Sequence, residues 1–131
     1  MTICAESIRI AIASDVATAC RAARHAAEQS GFDRTRSYQI ATAASELARN
    51  VLVHGGGGTV TVSSPGHRNG IELLAIDHGP GIADLALAMQ DGFSTTGSLG
   101  GGLPGVERLM DEVVIETSVG AGTTVRASKW L

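Results

Sequence analysis

Apolar and polar residues alternate along Glu6-Ser7-Ile8-Arg9-Ile10-Ala11-Ile12, a period of two that predicts a half-buried strand. Ser14-Asp15 then offers a cap for a helix of Ala, Arg and Glu that ends at Ser30-Gly31. A second helix is expected to begin near Asp33 to Thr35, to run to about His54, and to stop at Gly55 to Gly58. Thr59-Val60-Thr61-Val62-Ser63 alternates as a strand, residues 64–69 read as a polar turn, and Gly70 to Ile76 returns as the second arm of a hairpin. A short helical patch follows at Asp84 to Met89. Pro104 opens another helix, with Val106, Leu109 and Met110 on its apolar face. Val113 to Glu116 and Thr123 to Ala127 are the closing strands, joined through Val119-Gly120-Ala121-Gly122. This order predicts an α/β (α+β) two-layer sandwich, with a mixed, mainly antiparallel sheet and helices on one face. No repeat or composition boundary interrupts it, so 1–131 reads as a single domain.

Composition narrows the core. Apolar residues make up 44% of the chain but aromatics only 3%, so the interior must be built from Ala, Val, Leu and Ile. A net charge of −3 and a pI of about 5.7, with no basic block, argue against a nucleic-acid surface. Cys4 and Cys20 have no CxxC spacing and read as buried free thiols of a reducing compartment. The start of the chain lacks the basic and apolar regions of a signal peptide, and no segment is long and apolar enough to span a bilayer. The expected location is the cytoplasm.

Candidate chemistry begins where the Gly70–Ile76 strand ends, at Asp77-His78-Gly79-Pro80-Gly81-Ile82. A carboxylate fixed beside bare backbone suits a flat ligand with an exocyclic amine. By itself the pattern reads first as an Asx-type turn after a strand. Glu46 and Asn50 lie four apart on the second helix and His54 four beyond, so all three share one face. A carboxylate and a carboxamide at that spacing suit a base and a ligand for a hard cation. Taken alone, Glu46 reads as readily as a solvated residue paired with Arg49 or Arg21, and His54 as a helix-end histidine.

Gly100-Gly101-Gly102-Leu103-Pro104-Gly105 matches G-x-G-x-x-G, but Phe93 to Leu99 before it is no hydrophobic strand, which excludes a Rossmann reading. No P-loop pattern occurs. What remains is a Gly-, Ser- and Thr-rich loop over 92–102, expected to be mobile without ligand, feeding a helix start able to bind an anion. His25, His67 and His78 have no metal-ligand spacing and read as surface or turn residues, and Trp130 as packing.

Glu46/Asn50, Asp77-x-Gly79-x-Gly81, the glycine loop and Gly120-x-Gly122-Thr123, taken in that order, resemble the GHKL ATPases of gyrase, Hsp90, histidine kinases and MutL. The wording of Glu46-Leu47-Ala48-Arg49-Asn50 and of AMQDGFSTTGSLGGGLPGVERLMDE further resembles the RsbT-type serine/threonine switch kinases, relatives of the anti-sigma factor kinases. The resemblance implies a Bergerat/GHKL fold and an ATP- and Mg2+-dependent protein serine/threonine kinase of bacterial partner switching. It implies STAS-domain antagonist or scaffold proteins as substrates and a PP2C-type phosphatase as a further partner. An anti-sigma factor that holds a sigma subunit, and a degenerate nucleotide-binding scaffold that activates a phosphatase, are its alternatives.

Carried onto this chain, the resemblance assigns Asn50 to Mg2+ and Glu46 to the attacking hydroxyl. Asp77 would bind the adenine amine, with Gly79, Gly81 and Thr123 around the ring. Residues 94–105, with Gly100, Gly102, Leu103 and Gly105, would close over the triphosphate. Gly97 stands where such loops carry a lysine, Ser98 where they carry a glycine, and Gly101 where they carry a leucine. These departures bear on turnover more than on fold.

Overall fold

The computed structural model describes residues 2–81 and 102–131. Its strands are β1 (Thr2–Ile10), β2 (Gly58–Pro65), β3 (Gly70–Asp77), β4 (Glu112–Ser118) and β5 (Gly122–Trp130). Its helices are α1 (Ala13–Gln29), α2 (Arg34–Val53) and α3 (Leu103–Leu109). The strands form one open sheet in the order β1-β2-β3-β5-β4, and every adjacent pair among the described residues is antiparallel. The sheet is therefore antiparallel where a mixed one was allowed for. The Asp84–Met89 patch and the loop residues up to 101, including Gly97, Ser98, Gly100 and Gly101, lie outside the described residues.

Alternation sorts the sheet into two faces. Ile8, Ile10, Val60, Val62, Ile71, Leu73, Ala75, Val125 and Ala127 point to the helices and are buried. Against them α1 buries only alanines, Ala19, Ala23 and Ala27, one per turn, so its backbone sits close to its neighbours. On α2, Ile40, Ala43, Ala44, Leu47, Ala48 and Val51 complete an aliphatic core, as the low aromatic content requires.

Helix ends follow local chemistry with one revision. Asp33 caps α2, its Oδ1 accepting from Arg36 N–H at 2.8 Å, a contact worth about 1 kcal/mol. At α1 the strand expected to reach Ile12 stops at Ile10, because Ile12 becomes the cap position and is 62% exposed. Asp15, without help from Ser14, reaches back to the backbone N–H groups of Ala11 and Ile12 at 2.8 and 2.9 Å. Those two bonds, Ala11 first, hold its carboxyl below the usual aspartate range. Cys20 is a free thiol but half-buried where full burial was expected, since α1 turns that position toward its edge. The side chain of Cys4 is not among those described.

The end of the sheet formed by Gly70 and Trp130 is tied down by side chains. Trp130 donates its indole N–H to Glu112 Oε1 and its backbone N–H to Asp111 Oδ2, both at 2.8 Å. Arg68 stacks 4.5 Å from the indole centroid, His67 meets it edge-on, and Arg36 of α2 donates to the Trp130 carbonyl. Beside it the buried Lys129 donates to the Leu109 carbonyl at 2.7 Å, which fastens the end of α3 to β5. Trp130 is thus a packing residue, as the sequence suggested.

Candidate functional site

The opposite end of the sheet holds the candidate residues Asp77 and Thr123. One rung runs across all five strands there: Ile10, Gly58, Asp77, Thr123 and Thr117 pair in succession. Asp77 continues the row Ile71, Leu73, Ala75, so alternation brings its carboxylate to the helix side of the sheet. Thr123 is its direct cross-strand partner, and side chains so paired have Cβ atoms about 5 Å apart. The two residues named separately from sequence are thereby neighbours.

Glycines wall this rung because anything larger would strike Asp77 or its turn. A Cβ at Gly55 would collide with the Cβ and Cγ of Asp77 and stand 2.8 Å from its Oδ2. A Cβ at Gly122, where φ is +89°, would collide with the Asp77 carbonyl. Gly79 packs on Gly55, and Gly81 on the Ser118 carbonyl. Asp77 Oδ1 accepts from Gly79 N–H at 2.9 Å, so the Asx turn is real and serves to hold the carboxylate. Backbone bonds tie the surrounding loops together: Gly55 N–H to the Asn50 carbonyl at 3.2 Å, Gly57 N–H to that of Val51 at 2.9 Å, and Gly120 N–H to that of Pro80 at 2.8 Å.

On α2, Glu46 is 1% exposed within a run of buried alanines and leucine, so it is no solvated helix residue. Asn50, one turn on, is half-buried, and its carbonyl bonds lead into Gly55 and hence to Asp77. His54 is exposed at the end of the helix, and His25, His67 and His78 are exposed as well. At the other side of the site Gly102 caps α3 with φ +69°, and Leu103, Pro104, Gly105 and Val106 are buried behind it, α3 packing on α2. Of the expected loop residues, Gly100 falls outside the described residues.

Across the rung, Thr117 Oγ1 donates to the Gly122 carbonyl at 3.3 Å and lies 3.0 Å from Thr123 Oγ1. An open depression of about 510 Å³, lined by residues that include Ile115, Thr117, Ala121 and Gly122, adjoins it on the β4–β5 side without reaching Asp77. Sequence reading missed Thr117, and took Gly55 and Gly58 only as a helix stop. The signal available for the glycines was their position just before a strand destined to pair with Asp77's. For Thr117, strand alternation alone gave none.

Among the described residues no group of three or more His, Cys, Asp and Glu side chains could hold a metal ion. A cation such as Mg2+ takes one or two protein oxygens and completes its shell with water and phosphate. The Glu46/Asn50 face offers hard oxygen donors of that kind, and the glycine-walled rung offers a cradle that a Cβ would fill. No described helix is long and apolar enough to cross a membrane.

A family model described as a histidine kinase-like ATPase domain matches residues 11–129. The serine/threonine-protein kinase RsbT of Bacillus subtilis (strain 168) is 43% identical over 126 residues, 95% of each chain. The anti-sigma F factor of Thermoanaerobacter sp. (strain X514) is 36% identical over 98 residues, 70% of this chain and 68% of its own. That of Geobacillus stearothermophilus is also 36% identical, over 70% of this chain and 67% of its own. Among solved structures, one comprising RsbU and RsbW domains of a Mycobacterium tuberculosis protein superposes with a TM-score of 0.69 at 21% identity. The match covers 98% of this chain and 32% of that longer one.

Proposed function

The chain belongs to the histidine kinase-like ATPase domain family and is a protein serine/threonine kinase that uses ATP, and from that premise we propose that its substrates are STAS-domain antagonist proteins of a bacterial partner-switching pathway. The likeness to RsbT supports the kinase reading, and the observation that carries its nucleotide site is the rung on which Asp77 and Thr123 stand side by side, walled by glycines. We assign Asp77 to the exocyclic amine of adenine, with Gly79, Gly81 and Thr123 bordering the ring. Gly102, Leu103 and Gly105, together with Gly100, are assigned to the phosphates.

In this reading Asn50 holds Mg2+, which when bound neutralises phosphate charge. Phosphoryl transfer then asks mainly for positioning, and this chain supplies it from rigid elements. Glu46, on α2, orients the attacking hydroxyl and takes its proton. The buried alanines around it exclude water from that transfer. The whole chain 1–131 works as one such domain, in the cytoplasm, with a PP2C-type phosphatase as a further partner and neither nucleic acid nor membrane.

Mass spectrometry of a cognate STAS protein after incubation with Mg-ATP tests this. One added phosphate on Ser or Thr is expected, with Glu46→Gln slowing its appearance at least a hundredfold. No phosphate at saturating ATP would overturn the substrate assignment. The likeness to anti-sigma F factors favours one second reading, sequestration of a sigma subunit. Recovery of a sigma factor, and no STAS protein, on the immobilised chain in the presence of ATP would put that reading first.

A further inference from the structure

We propose that the free edge of β4 is a docking site for an extended, basic segment of a partner protein. The segment adds a further strand to the sheet and sets a lysine or arginine against Glu116. Docking there needs nothing from the nucleotide assignment above.

The two edges of the sheet are built differently. β1 carries a register shift between Thr2 and Cys4, an irregularity of the kind that deters further pairing. β4 pairs with β5 from Glu112 to Ser118 without a shift, and its sequence EVVIETS has neither proline nor lysine to protect it. In an antiparallel strand alternate residues aim their N–H and C=O groups away from the neighbour. Those of β4 meet no described strand on that side. Val113 and Ile115 lie half-buried at the margin of the core, and Val114 on the other face is 50% exposed. An added strand would cover all three.

Charge selects the occupant. Glu112, Val114 and Glu116 share one face of β4, and all three are exposed. The open depression of about 510 Å³ begins beside them, and Glu116 supplies the charge in its lining, next to Ile115, Ser118 and Ala121. A sheet edge binds a strand through the main chain and selects it through pockets for alternate side chains. A lysine or arginine directly opposite Glu116 would have its Cβ about 5 Å from that of the glutamate, an attractive cross-strand pair. A second copy of this chain fits badly. In an antiparallel pair of β4 strands centred on Val114, Glu112 of each copy faces Glu116 of the other, and like charges so placed repel.

Fluorescence anisotropy of the full chain with a labelled, end-capped peptide tests this. The peptide is seven residues long, as β4 is, with valines at odd positions and lysine, threonine and lysine at even ones. Glu116→Lys should weaken its binding about five- to tenfold, the scale of turning an attractive cross-strand pair into a repulsive one. Glu116→Gln, which only removes the charge, should weaken it about two- to threefold. Glu6→Lys, the same reversal at the exposed β1 edge, should alter it less than about twofold, because salt screens a charge so far away. A peptide with glutamate in place of lysine, or with proline at its centre, should not bind. On the wild type the bound peptide should slow amide hydrogen exchange within residues 112–118.

Equal losses in Glu116→Lys and Glu6→Lys, binding by the proline peptide, or binding that leaves exchange in 112–118 unchanged would reduce the contact to general charge attraction and overturn the inference. No binding by the wild type at millimolar peptide would overturn it too. A dimer of the free chain in sedimentation equilibrium, with 112–118 protected from exchange, would give the edge to a second copy and overturn the choice of partner.

Discussion

The two ends of the sheet are built on opposite rules. At the Trp130 end large side chains fill the space and satisfy one another: an indole with a carboxylate on its N–H, a guanidinium on its face, and a buried ammonium capping α3. At the Asp77 end the residues are small, and the carboxylate is held by a main-chain N–H with glycines packed against it. The first end spends its polar groups on each other, whereas the second sets a carboxylate and two threonine hydroxyls among glycines. On the proposed function, stability and binding lie about one strand-length apart, and substitutions should separate them.

The largest effect is expected at the packed end. Trp130→Ala should cost about 4 kcal/mol in urea unfolding, as for other buried aromatics, while ATP affinity measured under folded conditions changes less than about twofold. A larger change in affinity would show that the two ends are coupled. Gly122→Ala should bridge the comparison by damaging both properties. Its φ of +89° and the collision with the Asp77 carbonyl predict a loss of about 3 kcal/mol and no ATP-induced rise in melting temperature.

Asp77→Asn should do the reverse of Trp130→Ala. Unfolding without nucleotide should stay within about 0.5 kcal/mol of wild type, because Asn also accepts from the Gly79 N–H. The stabilisation that ATP confers, about 2.7 kcal/mol at a hundred times its dissociation constant, should vanish from the thermal melt.

The smallest effect lies at neither end. The Asp15 carboxyl titrates below the ordinary value of about 3.9 because it accepts from the Ala11 and Ile12 N–H groups. A lowered folded pKa means its contribution is whole above that value and is lost as pH falls through the folded pKa. The difference in urea midpoint between wild type and Asp15→Ala should therefore be present at pH 6 and shrink toward pH 3, with ATP binding at neutral pH unaffected.

Much of this contrast was legible in the chain. Asp33 and the glycines from Gly55 fixed the limits of α2 to within a residue or two, since caps and stops act through backbone bonds close in sequence. Asp77-x-Gly79-x-Gly81 announced a turn, and the turn is there, its carboxylate accepting from the Gly79 N–H. The start of α1 was less legible. An alternating pattern cannot tell a strand residue from a cap, and Ile12 is exposed because the helix begins one residue later. The burial of Glu46 was equally hidden, because Arg49 and Arg21 offered it plausible partners on a free helix and only the tertiary packing of α2 buried that position.

What the sequence by itself determined are the local facts: element types, an aliphatic core, and residue kinds suited to an amine, a cation and an anion. Periodicity and capping depend on neighbours within about four positions, so one chain suffices to read them. Only the tertiary structure decided that Asp77 pairs with Thr123 and Thr123 with Thr117, that Gly55 and Gly122 both pack on Asp77, and that Trp130 closes the opposite end. Those partners lie from six to nearly seventy residues apart. What brings them together is strand order and register, which burial of one face of the whole sheet selects at once.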